Sequence, residues 1–265
     1  MNHGIFTFGE DARTSYERMI DYVSRAEKVI EERAQRKVFG SPRMDLTPPK
    51  DFASSAARFN QTVRGACAFR TEGGQLHRFY VEVRNAPDLV KASLLQEARE
   101  LCASGVLTPD HVTRTKNLWA YVESLPEDEE SFQQMVKGTV SAYQAAYDGY
   151  FLAQVKAKKV EPRKLDPYPR VFLVAGVGVV TLGFTRKDAR IAADIAEHTL
   201  RAKLLANALG EYAPISESHV FDMEYWTLQQ KKLGRTSPLP LQGQVALVTG
   251  GAGAIGFGIA DRLLA

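Results

Sequence analysis

Hydrophobic side chains recur every three or four residues in several long stretches of this chain, a spacing typical of amphipathic helices. The clearest stretch predicts a helix over about residues 11–36, and Gly40 and Pro42 follow it as a break. Further helices are predicted over about residues 51–69, 87–102, 129–158, 185–209 and 221–226.

Between these helices lie shorter stretches with the character of β-strands. Residues 78–83 alternate between polar and apolar side chains, and residues 170–175 form a continuous apolar run. A short extended segment is also predicted to end near Tyr121, after the turn-forming residues 107–110. Because helices and strands alternate along the chain, the predicted fold class is α/β with layered helices and sheet.

The longest apolar run, residues 171–184, indicates a buried strand and not a membrane span. It covers about 14 residues, whereas a helix that crosses a bilayer needs roughly 20. Gly176, Gly178 and Gly183 lie within it, but not at the spacing of a nucleotide-binding loop, so they predict a glycine-eased turn next to the strand. No membrane partner is expected.

Composition and charge exclude several classes of protein. The chain is 45% hydrophobic and 25% charged, as in ordinary globular proteins, and its formal charge of +3 is too small to indicate a nucleic-acid partner. Cys67 and Cys102 are not in a CxxC pair, so neither a disulfide framework nor a thiolate metal site is predicted. Since no signal-peptide pattern opens the chain, a cytoplasmic location is expected.

A glycine-rich segment, residues 249–256, carries the strongest local signal of chemistry. It follows the apolar residues 245–248 and leads into a helix-like pattern, the context in which such glycines bind dinucleotides. Glycine allows the sharp turn out of the strand, small residues admit the pyrophosphate, and the helix N-terminus attracts phosphate. The predicted cofactor-binding residues are Gly250, Gly253, Ala254, Ile255 and Gly256.

This segment resembles the TGxxxGxG motif of the short-chain dehydrogenase/reductase family, with Ala254 in place of one glycine. The resemblance covers residues 242–265 and implies the first β-turn-α unit of a Rossmann fold that binds NAD or NADP. The acidic residue that contacts the ribose, and the family's catalytic Ser, Tyr and Lys, would lie beyond residue 265. A glycine turn that binds no nucleotide is the alternative.

The start of the chain, Asn2-His3-Gly4, resembles the end of a class II aldolase/adducin-type domain. In that family a histidine before a glycine is the last ligand of a catalytic divalent metal, which makes His3 the predicted metal ligand. The other histidines and the catalytic carboxylate would lie upstream of Met1. The alternative is that His3 is an ordinary structural histidine.

The order of these segments resembles the bifunctional class II aldolase/short-chain dehydrogenases of rhamnose and related deoxysugar catabolism. Residues 107–111 and 221–226 contribute to this resemblance. It implies cleavage of a deoxyketose 1-phosphate to dihydroxyacetone phosphate and an aldehyde, with zinc as Lewis acid, and NAD(P)-dependent oxidation by the second half. Sugar phosphate and aldehyde would be the small-molecule partners, and a homo-oligomer is left open.

Four parts of the chain are predicted from these features. Residues 1–40 would be the end of an aldolase domain, residues 41–233 an aldolase-like middle domain, residues 234–241 a linker, and residues 242–265 the start of the dehydrogenase domain. On this interpretation the chain is a fragment in which both active sites are incomplete. Poor order or opportunistic packing is expected for residues 242–265, with neither tight zinc binding nor NAD-dependent turnover.

The middle domain is also a candidate for a degenerate repeat. Residues 4–9 align without gaps on residues 178–183, and a long helix follows each segment. Any β-turn-α unit could produce such a match, so chance similarity stays open as the alternative.

Two other functions remain open at this stage. The chain could be a non-enzymatic, adducin-like scaffold or assembly module. It could also be a small enzyme with a site in the middle region, although no motif supports this. His111, His198 and His219 match no metal-ligand spacing and are interpreted as surface or structural histidines.

Overall fold

A computed structural model describes residues 4–34, 40–43, 45–46, 48–70, 74–227, 241 and 243–264 of the chain. The helices within these residues are α1 (Ala12–Ala34), α2 (Phe52–Ala66), α3 (Pro87–Ser93), α4 (Ala98–Ala103), α5 (Val112–Thr115), α6 (Glu129–Lys158), α7 (Arg186–Leu209), α8 (Glu217–Glu224) and α9 (Ala254–Leu264). The strands are β1 (Phe69–Arg70), β2 (Leu76–His77), β3 (Tyr80–Arg84), β4 (Ala120–Val122), β5 (Val171–Val174) and β6 (Gly178–Gly183).

Four of the strands form the central sheet, in the order β3-β6-β5-β4. β6 pairs antiparallel with both β3 and β5, whereas β4 runs parallel to β5. A tight turn joins β5 to β6, with φ of +74° at Gly176 and +107° at Gly178. A Cβ on Gly178 would lie 2.6 Å from the carbonyl oxygen of Arg84 on β3, so glycine lets the strands approach. The predicted glycine-eased turn is confirmed.

Helices cover both faces of this sheet and bury it completely at its centre. On one face, α2 and α6 pack Phe59 and Phe132 against side chains such as Phe172. On the other face, α3, α4 and α7 pack against alternate residues of the same strands, among them Leu173. Every residue of β5 and β6 is buried, which explains why their side chains are apolar except for that of Thr181. The predicted layered α/β fold is confirmed for this region.

The long helices form where the hydrophobic spacing predicts them. α6 begins after Asp128, whose carboxylate accepts a hydrogen bond from the Ser131 N–H at 2.8 Å. The helix predicted over 87–102 is instead divided into α3 and α4, because the chain leaves helical geometry at Leu94. Residues 109–115 form a 3₁₀ turn and α5 in place of the first part of the predicted extended segment.

Two predicted strands are absent from the structure. Residues 4–9 form no strand and lie along the first turns of α1, where Thr7 Oγ1 donates a hydrogen bond to the Ser15 carbonyl at 2.9 Å. Residues 245–248 form no strand either, and Leu247 is 92% exposed. A strand needs a neighbour to pair its backbone groups, and neither segment finds one among the described residues. Without a sheet around residues 4–9 to compare, the proposed internal repeat stays a hypothesis.

No helix in the described part of the chain is long and apolar enough to cross a membrane.

Candidate functional site

The glycine-rich segment forms a tight turn that leads directly into α9. Gly250 has φ of +69°, a left-handed conformation that glycine adopts without strain. Its carbonyl accepts a hydrogen bond from the Gly253 N–H at 2.9 Å, and the Gly253 carbonyl accepts from the Phe257 N–H at 2.8 Å. The predicted turn and helix are therefore both present, although the strand before them is not.

Gly256 is required by the closeness of this turn to the helix. A Cβ at Gly256 would lie 2.2 Å from the carbonyl oxygen of Gly250, too close for any side chain. The atoms that exclude a side chain at Gly256 thus belong to the backbone of the turn itself. A Cβ on Gly258, one half-turn further along α9, would meet no atom within 4 Å.

The remaining predicted cofactor-binding residues lie at the exposed start of α9. A Cβ at Gly253 would approach the Gly250 carbonyl only to 3.4 Å, which is an ordinary contact. Ala254 is exposed, and Ile255 is 83% exposed. The first N–H groups of a helix have no partner within the helix and carry its positive dipole end. The exposed start of α9 therefore presents backbone N–H groups of the kind that bind anions at helix N-termini.

The predicted metal ligand His3 lies outside the described residues. Among the residues that are described, no group of three or more His, Cys, Asp or Glu side chains is close enough together to hold a metal ion. His111 and His198 are near each other, and burial followed by the charge of His198 lowers the pKa of His111. The described residues thus offer no site that fits zinc.

A buried polar cluster that the sequence did not predict links α5, α6 and α8. Lys116 and Glu224 are 4% and 1% exposed, and their Nζ and Oε1 atoms lie 3.6 Å apart. The Glu224 carboxylate accepts hydrogen bonds from the hydroxyls of Tyr147 at 2.9 Å and Tyr150 at 3.2 Å. The Tyr147 hydroxyl also lies 2.8 Å from that of Tyr225, which accepts a bond from the Leu165 N–H.

Lys116 occupies the most unusual backbone conformation in this cluster. Its φ of 57° and ψ of 174° fall in a region that is otherwise almost restricted to glycine. Such strain persists only where the surroundings hold the residue firmly, and the ammonium group lies 3.9 Å from the centre of the Tyr147 ring. Burial lowers the pKa of Lys116, against the opposing attraction of Glu224.

A second buried ion pair neighbours the first. Arg170 Nη2 lies 2.6 Å from the Asp166 carboxylate, and its guanidinium stacks on the rings of Phe79 and Phe184. Although burial alone would raise the pKa of Asp166, the charges of Arg170 and Lys116 hold it below its usual value. Two positive and two negative groups thus compensate one another inside the domain.

The cluster holds α8 against α6, because the hydrogen bonds of Tyr147 and Tyr150 to Glu224 join the two helices. Aromatic contacts between the same helices add to this, such as that of Phe151 with Tyr225 at 5.3 Å. No local motif could have revealed the cluster, since Tyr147 and Glu224 are 77 residues apart. The segment 221–226 attracted notice in the sequence, but only for its resemblance to a family pattern.

Comparison with known families assigns the central domain. Residues 54–233 match the family model described as "Aldolase class II, second domain", so the chain belongs to this family. The prediction of a class II aldolase-like region is therefore confirmed at this level. The match lies inside the predicted middle domain, residues 41–233, whose boundaries stay a prediction.

A protein of Bacillus subtilis is similar over nearly the whole chain. It is YuxG, named an uncharacterized oxidoreductase, and it is 27% identical over 267 residues. The alignment covers 99% of this chain but 37% of the relative, so the chain spans little more than a third of that protein's length. The family and the name of this relative both point to an enzyme.

Among solved structures, the chain is similar to YgbL of Escherichia coli, a candidate aldolase/epimerase/decarboxylase. The two are 15% identical, with a TM-score of 0.37, and the superposition covers 64% of this chain and 65% of YgbL.

Proposed function

We propose that this chain is the central part of a bifunctional enzyme that couples a class II aldolase to a short-chain dehydrogenase. The aldolase activity would cleave a deoxyketose 1-phosphate to dihydroxyacetone phosphate and an aldehyde. The dehydrogenase activity would oxidise an aldehyde or alcohol with NAD or NADP. Both activities belong to the longer protein, of which the residues described above supply the second aldolase domain and the first nucleotide-binding turn.

The observation that carries this proposal is the tight turn at Gly250 and Gly256 directly after an aldolase-family domain. Gly250 requires the left-handed conformation, and the backbone approach at Gly256 excludes a side chain. A turn with these two constraints at the start of a helix is the arrangement that cradles a dinucleotide pyrophosphate. The oxidoreductase name of the Bacillus relative is consistent with such a domain.

The exposed apolar residues around this turn also support a larger domain. Leu247 and Ile255 are 92% and 83% exposed, and others nearby have the same character: Val245, Phe257, Ile259 and Leu263. Burying one such side chain is worth about 1.5–3 kcal/mol, so their exposure would forfeit an amount comparable with a domain's whole stability. In a Rossmann domain they would face the strands and helices that follow.

In the proposed nucleotide site, each residue of the turn has a distinct role. Gly250 turns the chain, Gly253 and Ala254 leave room for the pyrophosphate, and Gly256 keeps the helix close to the turn. The N-terminus of α9, at Ala254 and Ile255, would orient the phosphates through backbone N–H groups and its dipole. When bound, NAD or NADP supplies the hydride acceptor.

His3 is the one residue of this chain that we propose as a zinc ligand of the aldolase site, and the other ligands would come from the rest of the longer protein. The cytoplasmic location and a homo-oligomeric state are also part of the proposal. For the second aldolase domain itself, the buried charges of Lys116 and Glu224 support a role in holding the fold rather than in catalysis.

A pair of glycine substitutions in α9 tests the dehydrogenase half in the complete natural protein. Gly256→Ala places a methyl group 2.2 Å from the Gly250 carbonyl oxygen of the turn, whereas Gly258→Ala places one with no atom of the turn within 4 Å. Since a displacement of about 1 Å can cost roughly 100-fold, we expect Gly256→Ala to lower kcat/KM for NAD-dependent oxidation on that order. Gly258→Ala should leave it within about twofold.

Aldol cleavage serves as the internal control, because both variants should retain it. Fluorescence titration with NADH would show whether the loss lies in cofactor binding. Equal oxidation rates in the two variants, or no nucleotide binding by the complete protein, would contradict the proposal.

A further inference from the structure

The chain makes a specific set of contacts just before the glycine-rich segment. The Gln244 N–H donates a hydrogen bond to the Leu241 carbonyl at 3.0 Å, so the chain turns next to Gly243. Gly243 is buried, with φ of +76°, in contrast to the exposed residues 244–247. The chain therefore contacts the aldolase domain at Gly243 and becomes exposed to solvent in the residues that follow.

Three side chains of the aldolase domain hold this turn. Arg64 on α2 donates to the Gly243 carbonyl at 2.8 Å, and the Tyr80 hydroxyl on β3 accepts from the Gly243 N–H at 3.2 Å. Arg78, between β2 and β3, donates to the Gln244 side chain at 3.1 Å. Both backbone polar groups of Gly243 are thus paired with side chains from two different elements.

The Gln244 side chain makes two hydrogen bonds to the aldolase domain. Its Nε2 donates to the Leu76 carbonyl at 3.3 Å, and its Oε1 accepts from Arg78. Arg64 is itself held in place, because its Nε donates to the Phe79 carbonyl at 2.9 Å. We call Arg64, Arg78, Tyr80 and the Leu76 carbonyl the anchor site.

The fit at the anchor site leaves no room for a side chain at residue 243. A Cβ on Gly243 would lie 2.3 Å from the Arg78 carbonyl oxygen. By contrast, Gly74 has nearly the same φ of +77°, but a Cβ there would meet nothing within 4 Å. Backbone strain is common to both positions, and close contact with the anchor site is peculiar to Gly243.

We infer that the anchor site is an interdomain docking surface that fixes the start of the nucleotide-binding domain on the second aldolase domain. This rests on the proposed function, since the occupant is the segment that leads into the nucleotide turn. Residues 244–247 are exposed, so Gly243 is the buried point from which the chain leads into the nucleotide turn. The first strand of the dehydrogenase domain then leaves the aldolase domain in a defined direction.

Hydrogen exchange of the Gly243 amide, in the 265-residue chain without nucleotide, tests this docking. We compare the wild type with Gly243→Ala, Gly74→Ala and Tyr80→Phe. In Tyr80→Phe the ring stays and the hydroxyl that accepts the Gly243 N–H is removed. We expect exchange at residue 243 at least tenfold faster in Gly243→Ala and Tyr80→Phe, and within twofold of the wild type in Gly74→Ala.

Protection of β4 and β5 amides serves as the folding control, because β6 separates these strands from β3, which carries Tyr80. Equal exchange at residue 243 in all four proteins, with β4 and β5 protected, would overturn the inference. So would equal acceleration in Gly74→Ala and Gly243→Ala. Loss of nucleotide binding by the complete protein with the anchor intact would instead count against the proposed function alone.

Discussion

At the scale of single residues, the buried charges of Lys116 and Glu224 are paired with each other although they are distant in sequence. Lys116 accepts a strained backbone conformation to reach Glu224, whose carboxylate also satisfies two tyrosine hydroxyls. A buried ion pair adds little net stability compared with an apolar replacement, but losing one partner leaves an uncompensated charge. The position of α8 therefore depends on the whole set of contacts.

Glu224→Ala should destabilise the fold by about 3–5 kcal/mol, because it leaves the Lys116 ammonium buried without its counter-charge. Glu217→Ala, at the exposed start of the same helix, is the matched control and should cost no more than about 1 kcal/mol. Urea unfolding measures both. The double variant Lys116→Met/Glu224→Leu should recover most of the stability that Glu224→Ala loses. If Glu224→Ala lost no more stability than Glu217→Ala, this account would be contradicted.

The sequence allowed the prediction of residues that act locally and not of those that act across the fold. Gly250 and Gly256 could be predicted because each shapes one short turn through its own backbone. Lys116 and Glu224 could not, because their contact depends on how α5 and α8 pack on α6. Gly243 was also missed, since its requirement comes from the Arg78 carbonyl on a distant segment.

At the scale of elements, the helices and strands predicted for buried segments formed, whereas the strands predicted for exposed segments did not. α6 and α7 have long, regular apolar spacing and clear N-caps at Asp128 and Thr185, and both form where expected. The apolar run 171–184 was recognised as buried, but the sequence did not show that it folds into a hairpin. Residues 4–9 and 245–248 have the composition of strands, but the described part of the chain provides no neighbouring strand for either.

Two glycine substitutions should have opposite effects on the stability of these elements. Gly178→Ala combines φ of +107° with a contact of 2.6 Å to the Arg84 carbonyl, so we expect a loss of at least about 2 kcal/mol. Gly138 lies on the exposed side of α6 with nothing within 4 Å, so Gly138→Ala should stabilise by about 0.5–1 kcal/mol. Thermal unfolding of both variants measures the signs, and equal signs would contradict the structure.

At the scale of the whole molecule, a well-packed aldolase-family domain lies between two segments with exposed apolar side chains. On the N-terminal side, Phe6 and Phe8 are 83% and 82% exposed, and only Ala34 of α1 is buried. On the C-terminal side, the residues around α9 are similarly exposed. Large exposed apolar patches usually mark surfaces that other protein covers. In the proposed enzyme, the aldolase and dehydrogenase halves cover them.

Hydrogen exchange of the complete natural protein, with and without saturating NAD, tests this account most directly. The account predicts that NAD slows exchange in residues 249–257, at the turn and the start of α9, and leaves β5 and β6 unchanged. The same measurement is made in parallel with saturating NADP. Unchanged exchange in residues 249–257 with either nucleotide, or protection confined to the aldolase domain, would contradict the assignment of this turn to a dehydrogenase.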